Sequence, residues 1–308
     1  MNKVIAVVVT YNRINLLRQC IEHLQKQSMS CDILIVDNAS TDGTDSFMQQ
    51  LENEHIFYYN TGRNLGGAGG FHLGMRLAVE SGQYEYIWMM DDDCLPEQTA
   101  LEKLMEADAA LQGTYGWLSS QCLWTDGRIC QMNVQRKTPF TDIKDFSQNL
   151  IPAQMASFVS LFLKSKTIEQ FGLPIKEFFI WTDDWEYTRR ISRTLPCYVV
   201  RDSHVVHAMK SPIVVNIATD TAERLSRYQY FYRNDIYLYR CEGLKGCLWI
   251  LAKDVWHSIQ IIANRKAMLK KLCIVWKNAW KGVWFHPIID YCEKDSSNII
   301  TWSVEKLK

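Results

Sequence analysis

The sequence predicts an α/β fold with a largely parallel central sheet, and three observations predict it. Apolar, β-branched runs without alternation recur at Val4 to Val9, Asp32 to Val36 and Tyr86 to Met90, as expected of strands buried on both faces. Segments with apolar residues at helical spacing lie between them, which makes β-α-β units. Each run ends in a polar cluster: Thr10-Tyr11-Asn12-Arg13, then Asp37 to Thr44, then Asp91-Asp92-Asp93. Ligands of open α/β sheets bind beyond the carboxyl ends of the strands, so three such clusters point to one site.

Taken in order, the strand at 4–9 leads to a helix over Asn15 to Leu24, and the strand at 32–36 closes the first unit. A turn-rich segment precedes a helix around Ala68 to Glu80, which feeds the strand at 86–90. From about Gly113 to Val206 the pattern is mixed, with Pro139, Pro152 and Pro174 as breakers and a helix near Ser165 to Phe171. Beyond Asp220 the chain reads as helical.

The chain has 308 residues, 34 Lys plus Arg against 34 Asp plus Glu, and 47% hydrophobic residues, which excludes a disordered chain and one basic throughout for nucleic acid. Ten scattered cysteines without a CxxC pair suggest a reducing compartment. The apolar run at 4–9 is too short for a secretory signal and no stretch reaches a membrane span, so a cytoplasmic location is expected.

Three segments carry candidate chemistry. Adjacent carboxylates at Asp91, Asp92 and Asp93 repel one another unless they share a cation, and hard divalent ions take such oxygen ligands; the bland alternative is a solvated acidic turn. Asn64-Leu65-Gly66-Gly67-Ala68-Gly69-Gly70 would let backbone N–H groups approach a diphosphate at a helix N-terminus, or is simply a tight turn. Trp181-Thr182-Asp183-Asp184-Trp185-Glu186 sets carboxylates among aromatics, surroundings that raise a carboxylate pKa toward that of a general base, although acids also suit the first turn of a helix. His207, after another apolar stretch, is by itself more often structural than a ligand.

The order of these pieces resembles the GT-A-fold inverting glycosyltransferases of family 2, the family of bacterial galactofuranosyl- and rhamnosyltransferases. The resemblance covers roughly residues 1 to 240. It implies a catalytic domain over 1–220, with a nucleotide-sugar half at about 1–112 and an acceptor half at about 113–220, followed by a helical region over 221–308. It further implies that Asp37 binds the nucleotide base, with Thr10 and Arg13 shaping that pocket and Asn64, Gly66, Gly67 and Asp92 also on the donor. Asp91, Asp93 and His207 would hold Mn²⁺ or Mg²⁺, with His204 as a neighbouring alternative to His207. Asp184 would be the base, and Trp181, Asp183 and Glu186 would contact the acceptor. The glycine segment looks most like enzymes using UDP-galactofuranose, whereas Tyr228-Gln229-Tyr230-Phe231-Tyr232-Arg233-Asn234 is shared with those using dTDP-rhamnose. The implied partners are a nucleotide-sugar donor and a glycan or lipid-linked glycan acceptor of a cell-surface polysaccharide.

Residues 255–289 hold six cations, Arg265, Lys266, Lys270, Lys271, Lys277 and Lys281, and no acid, with Trp276, Trp280 and Trp284 at helical spacing. Such a stretch suits an interfacial helix on an anionic membrane surface at the inner face of the cell membrane. A non-catalytic membrane-surface adaptor is the reading from another class; packing of the tryptophans onto the catalytic domain is the plain alternative. Nucleic-acid binding is not expected, because no recognised module accompanies the charge.

Overall fold

The computed structural model describes residues 3–51, 53–208 and 216–293. Strands and helices alternate through β1 (Val4–Thr10), α1 (Ile14–Gln25), β2 (Asp32–Asp37), α2 (Thr44–Gln50), β3 (Ile56–Asn60), α3 (Gly66–Glu80) and β4 (Tyr86–Asp91). There follow β5 (Cys94–Pro96), α4 (Ala100–Ala110), β6 (Leu118–Leu123), the ribbon of β7 (Arg136–Thr138) and β8 (Thr141–Asp142), β9 (Leu150–Pro152) and β10 (Leu161–Lys164). The chain continues through α5 (Ser165–Phe171), α6 (Asp183–Ser192), β11 (Tyr198–His207), α7 (Tyr228–Arg240), α8 (Gly243–Asn264) and α9 (Met268–Val283).

The central sheet runs β3-β2-β1-β4-β10-β6-β11-β5, with β9 also on β11. Its first four strands are parallel, as is the pair β6 and β11. β10 lies antiparallel between β4 and β6 and joins the two halves in one sheet. The connections account for this pattern. A parallel neighbour requires a crossover; α5 and α6 lie between β6 and β11, whereas no α-helix lies between β6 and β10. The two apolar stretches around 198–206 are one strand, kinked by a register shift between Val200 and His204.

Alternate residues of β1 face opposite cores. Val4, Ala6 and Val8 pack with Leu17 and Ile21 of α1, while Ile5, Val7 and Val9 pack with Phe71 and Met75 of α3. Helix α3 lies very close to the sheet: a Cβ at Gly70 would stand 2.5 Å from Val9 Cγ1, and one at Gly74 2.5 Å from Val7 Cγ1. This fixes where the first turn of α3 meets the strand ends. Gly74→Ala is therefore expected to destabilise the protein by about 1–3 kcal/mol, the usual result of overpacking a core. Urea unfolding should show a lower midpoint at unchanged slope; an unchanged midpoint would mean that α3 can shift without loss.

Candidate active site

Strand β4 ends at Asp91, and the chain turns at Asp92 and Asp93 before β5. Asp92 and Asp93 are both buried, so the solvated-turn reading does not hold. Their charges are met from two directions. Arg13, after β1, approaches Asp92 at 3.2 Å and Asp93 at 2.7 Å. His207, the last residue of β11, places Nε2 3.1 Å from Asp93 Oδ1. The β5–β11 pairing aligns His207 with Cys94 and so brings it beside Asp93. His204 faces Glu97 instead, at 3.3 Å.

These contacts divide the three carboxylates. Burial, followed by the Asp93 charge, pushes Asp91 up to about 7. Burial also raises Asp92, to about 6, against the opposing pull of Arg13. Burial acts on Asp93 too, but the hydrogen bond and charge of His207, with Arg13, hold it below the ordinary value. Burial opposes the His207 imidazolium, yet the Asp93 and Cys130 hydrogen bonds and the Asp93 and Asp91 charges push it up to about 10.

The expected donor residues make the following contacts within the chain. Thr10 and Arg13 point at the Asp triplet rather than at an Asp37 pocket: Thr10 Oγ1 donates to Asp92 Oδ2 at 2.7 Å. Asp92 is thus engaged by Thr10 and Arg13. Asp37 is fully buried and accepts from the Ser40 hydroxyl at 2.6 Å and the Tyr58 hydroxyl at 2.7 Å. Asn64, just ahead of α3, accepts from Gly66 N through its Oδ1 at 2.8 Å. Gly66 is a glycine because a Cβ there would sit 2.0 Å from the Phe179 carbonyl oxygen, and its φ is +75°; no diphosphate is needed to explain it. Gly67 has open space where a Cβ would be.

The segment before α6 is strained. Phe179, Trp181 and Thr182 all have positive φ, at 64°, 66° and 70°. Helix α7 holds this segment in place. Asn234, fully buried, donates Nδ2 to the carbonyls of Phe178, Ile180 and Trp181. Asp235 accepts from the Thr182 hydroxyl at 2.6 Å and pairs with Lys253 of α8. Phe179 stacks on Tyr230 with centroids 4.8 Å apart, and Trp181 packs edge-on against Tyr228 and Phe231.

The strained loop delivers Asp183 and Asp184 to the first turn of α6. Burial, then the Asp183 charge, raises Asp184 well above the carboxylate range, and the Asp91 charge also reaches it. Burial raises Asp183 to about 6, with the Glu186 charge adding to the shift. Glu186, expected at the acceptor, faces inward from α6. It is buried and paired with Arg190 at 2.8 Å, which also donates to the Phe171 and Leu173 carbonyls.

Two features escaped the sequence reading. Asn234 and Asp235 lie some fifty positions from the loop they hold, and only the fold brings them to it. Cys122 and Cys130 meet across a hairpin whose Asp126-Gly127 turn was the one available signal. Their sulfurs and a ring nitrogen of His207 lie within 4.8 Å of one another, and His207 Nδ1 contacts Asn133 Oδ1 at 2.8 Å.

Residues 5–114 match the profile of glycosyl transferase family 2. The chain carries a glycosyl transferase family 2 domain. A galactofuranosyltransferase GlfT1 of Mycolicibacterium smegmatis is 27% identical over 259 residues, covering 80% of this chain and 85% of that protein. An undecaprenyl-phosphate mannosyltransferase of Micrococcus luteus is 32% identical over 109 residues, covering 34% of this chain and 44% of that protein. Among solved structures, S. aureus TarS 1-349 superposes with a TM-score of 0.52 at 14% identity, covering 99% of this chain and 76% of that one. GalNAc-T7 with UDP, GalNAc and Mn²⁺ gives 0.57 at 12% identity, covering 77% of this chain and 48% of that one. The fold is of the GT-A type, and the family 2 domain and these relatives support glycosyltransferase activity.

Among the residues of α7 that hold the strained loop, Asn234 makes the most hydrogen bonds to its backbone. Asn234→Ala removes the donor from three carbonyls, and leaving a buried polar group without a partner costs about 1–3 kcal/mol. The variant should melt lower and exchange backbone amides faster at 178–182. Unchanged protection there would remove Asn234 as the brace.

Proposed function

We propose that this protein transfers galactofuranose from UDP-galactofuranose, with inversion, to a hydroxyl of a glycan or lipid-linked glycan acceptor. One observation carries the reading: Asp91, Asp93 and His207 gather at the strand ends while the Asp184 carboxylate lies within electrostatic reach of Asp91. The galactofuranosyltransferase relative, similar along most of the chain, favours this sugar over rhamnose. The proposed division is a donor half at 1–112, an acceptor half at 113–220 and a helical region at 221–308, of which residues 294–308 lie outside the described residues.

Mn²⁺ or Mg²⁺ fits the residues present. Asp91 and Asp93 offer hard oxygens and His207 an imidazole nitrogen, and the Asp91 carboxylate takes no hydrogen bond from a described residue. When bound, such an ion neutralises charge on the departing diphosphate. The chain's own residues do the rest. Asp184 takes the proton of the acceptor hydroxyl as its oxygen bonds to the anomeric carbon and the bond from that carbon to the diphosphate oxygen breaks. Attack from the face opposite the leaving group gives inversion. Asp183 sustains the high proton affinity of Asp184, and Trp181 and Asp183 border the acceptor. The donor lies against Asn64, Gly67 and the Asp37 pocket.

Incubation with a panel of nucleotide sugars and divalent metals, read as nucleoside diphosphate release, tests the reaction. Release from no member of the panel with any acceptor would sink it. Turnover should disappear on exhaustive chelation and return with Mn²⁺ or Mg²⁺. Since His207 is pushed up to about 10, metal entry must displace its proton, and metal affinity should rise with pH through the neutral range. Calorimetry on His207→Ala should lose affinity and part of that slope, the remainder coming from Asp91, which burial pushes up to about 7.

Asp184→Asn should bind donor normally yet lose about 10²–10⁴-fold in turnover, the usual contribution of general-base catalysis. Because Asp184 must be ionised to accept a proton, kcat/KM in the wild type should climb with pH above the ordinary carboxylate range. Asp183→Asn removes a negative neighbour and should move that limb to lower pH. A limb that stays put in Asp183→Asn, or normal turnover in Asp184→Asn, would take the base role from Asp184.

A further inference from the structure

Helices α8 and α9 both pack on α7, and each buries one face while exposing another that is apolar. In α8 the inward positions are Gly246, Ile250, Asp254, Ser258 and Ile261. A second stripe, Leu244, Leu248, Leu251, Val255, Ile259 and Ile262, recurs every three or four residues, and every member is 42–77% exposed. Such a stripe normally faces a core. Helix α9 adds Leu269, Trp276, Trp280 and Val283, with Trp284 just beyond; Trp280 and Trp284 are 66% and 68% exposed. Trp280 and Trp284 therefore stand mostly clear of the packed interior, while Trp276, 42% exposed, lines a groove with Ile236 and Arg240 of α7. A patch of this extent on a soluble protein marks an interaction site.

Arg265, Lys266, Lys270, Lys277 and Lys281 are all exposed. On α9, Lys270, Lys277 and Lys281 each follow a patch residue, about a third of a turn around the helix, where they line a groove with Leu225 and Gln229. Lys271 does not join them: it is buried and its ammonium donates to the Ala218 carbonyl at 2.8 Å, which corrects the expected set of six cations. Asp254 is the only acid between 243 and 289, and it is buried.

We propose that this α8–α9 face is a docking surface for an anionic lipid bilayer, lying in the interface without crossing it. No helix among the described residues is long and apolar enough to span a membrane. The charge selects the occupant. A second copy meeting this face across a two-fold axis would set its cations against the same cations. A nucleic acid would meet the cations but leave the leucine stripe in water. Anionic headgroups meet the cations while the acyl region takes the stripe, with tryptophans at the headgroup level. The proposal is independent of the sugar-transfer reading, because vesicle binding is measured without substrate.

The test is sedimentation of the full chain with vesicles of phosphatidylcholine containing phosphatidylglycerol, against phosphatidylcholine alone. Binding should be strong on the anionic vesicles at low salt and weaken as salt rises. Each exposed cation should contribute about fivefold to partition near an anionic surface. Replacing Lys266, Lys270, Lys277 and Lys281 by Gln should thus cut anionic binding by well over tenfold. Leu248→Ser with Trp280→Ser should abolish the blue shift of tryptophan fluorescence on binding; both positions are exposed, so the fold should survive. Diphosphate release with a water-soluble acceptor should be unchanged in both variants. No sedimentation with anionic vesicles at low salt, binding indifferent to both variants, or a stable dimer in lipid-free solution that these variants dissociate would overturn the proposal.

Discussion

The arrangement of the site depends on the crowding of three carboxylates at the end of β4. Covalent connection places Asp91, Asp92 and Asp93 side by side, and burial of two of them removes the water that would otherwise screen their repulsion. The fold answers with a cation on each side. Arg13 arrives because β1 lies next to β4, and His207 arrives because β11 pairs with β5 immediately after the triplet. Thr10 adds a hydroxyl to Asp92. Asp91, without a hydrogen-bonded partner among the described residues, keeps its proton most readily. The order of strands is thus also an order of charges, and moving any of these three strands would leave a buried carboxylate uncompensated.

A second dependence runs through the strained loop at 178–182. Positive φ at three non-glycine residues persists only where surroundings over-determine it. Here Asn234, Asp235 and Tyr230 of α7 hold one side, while Gly66 and the Ala68 amide of α3 receive the Phe179 carbonyl on the other. Glycine at 66 permits that approach. The helix N-terminus beside the donor half and the loop bearing Asp183 and Asp184 are consequently in direct contact, so a displacement of one is felt by the other.

What the sequence made legible follows the range of the interactions. Strands β1, β2 and β4, helices α1, α3 and α5, and the gathering of polar clusters at the strand ends rest on periodicity and on turns within a few residues, and the structure reproduces them. The antiparallel entry of β10 was hidden, because pairing direction depends on the connection rather than on the strand itself. Side-chain partners were the least legible. Glu186 reads as an acceptor contact in a row of acids, yet its fate was decided by Arg190 one helical turn away. The glycines at 66, 67, 69 and 70 suggest a ligand cradle, whereas at 66 and 70 the room goes to Phe179 and Val9. Lys271 counts as a surface charge until the Ala218 carbonyl takes it inside.

The helical region joins these two levels. Its α7 reaches inward with Asn234 and Asp235, and Lys253 of α8 completes the pair with Asp235. The same α8 turns its leucine stripe outward, about a third of a turn from the buried face. A helix with two apolar faces cannot bury both within one small bundle, and here the outer one is exposed. The inward face braces the loop that carries Asp184, and the outward face is left for an external surface. Whatever engages that surface therefore stands one helix away from the residues that hold Asp184 in place.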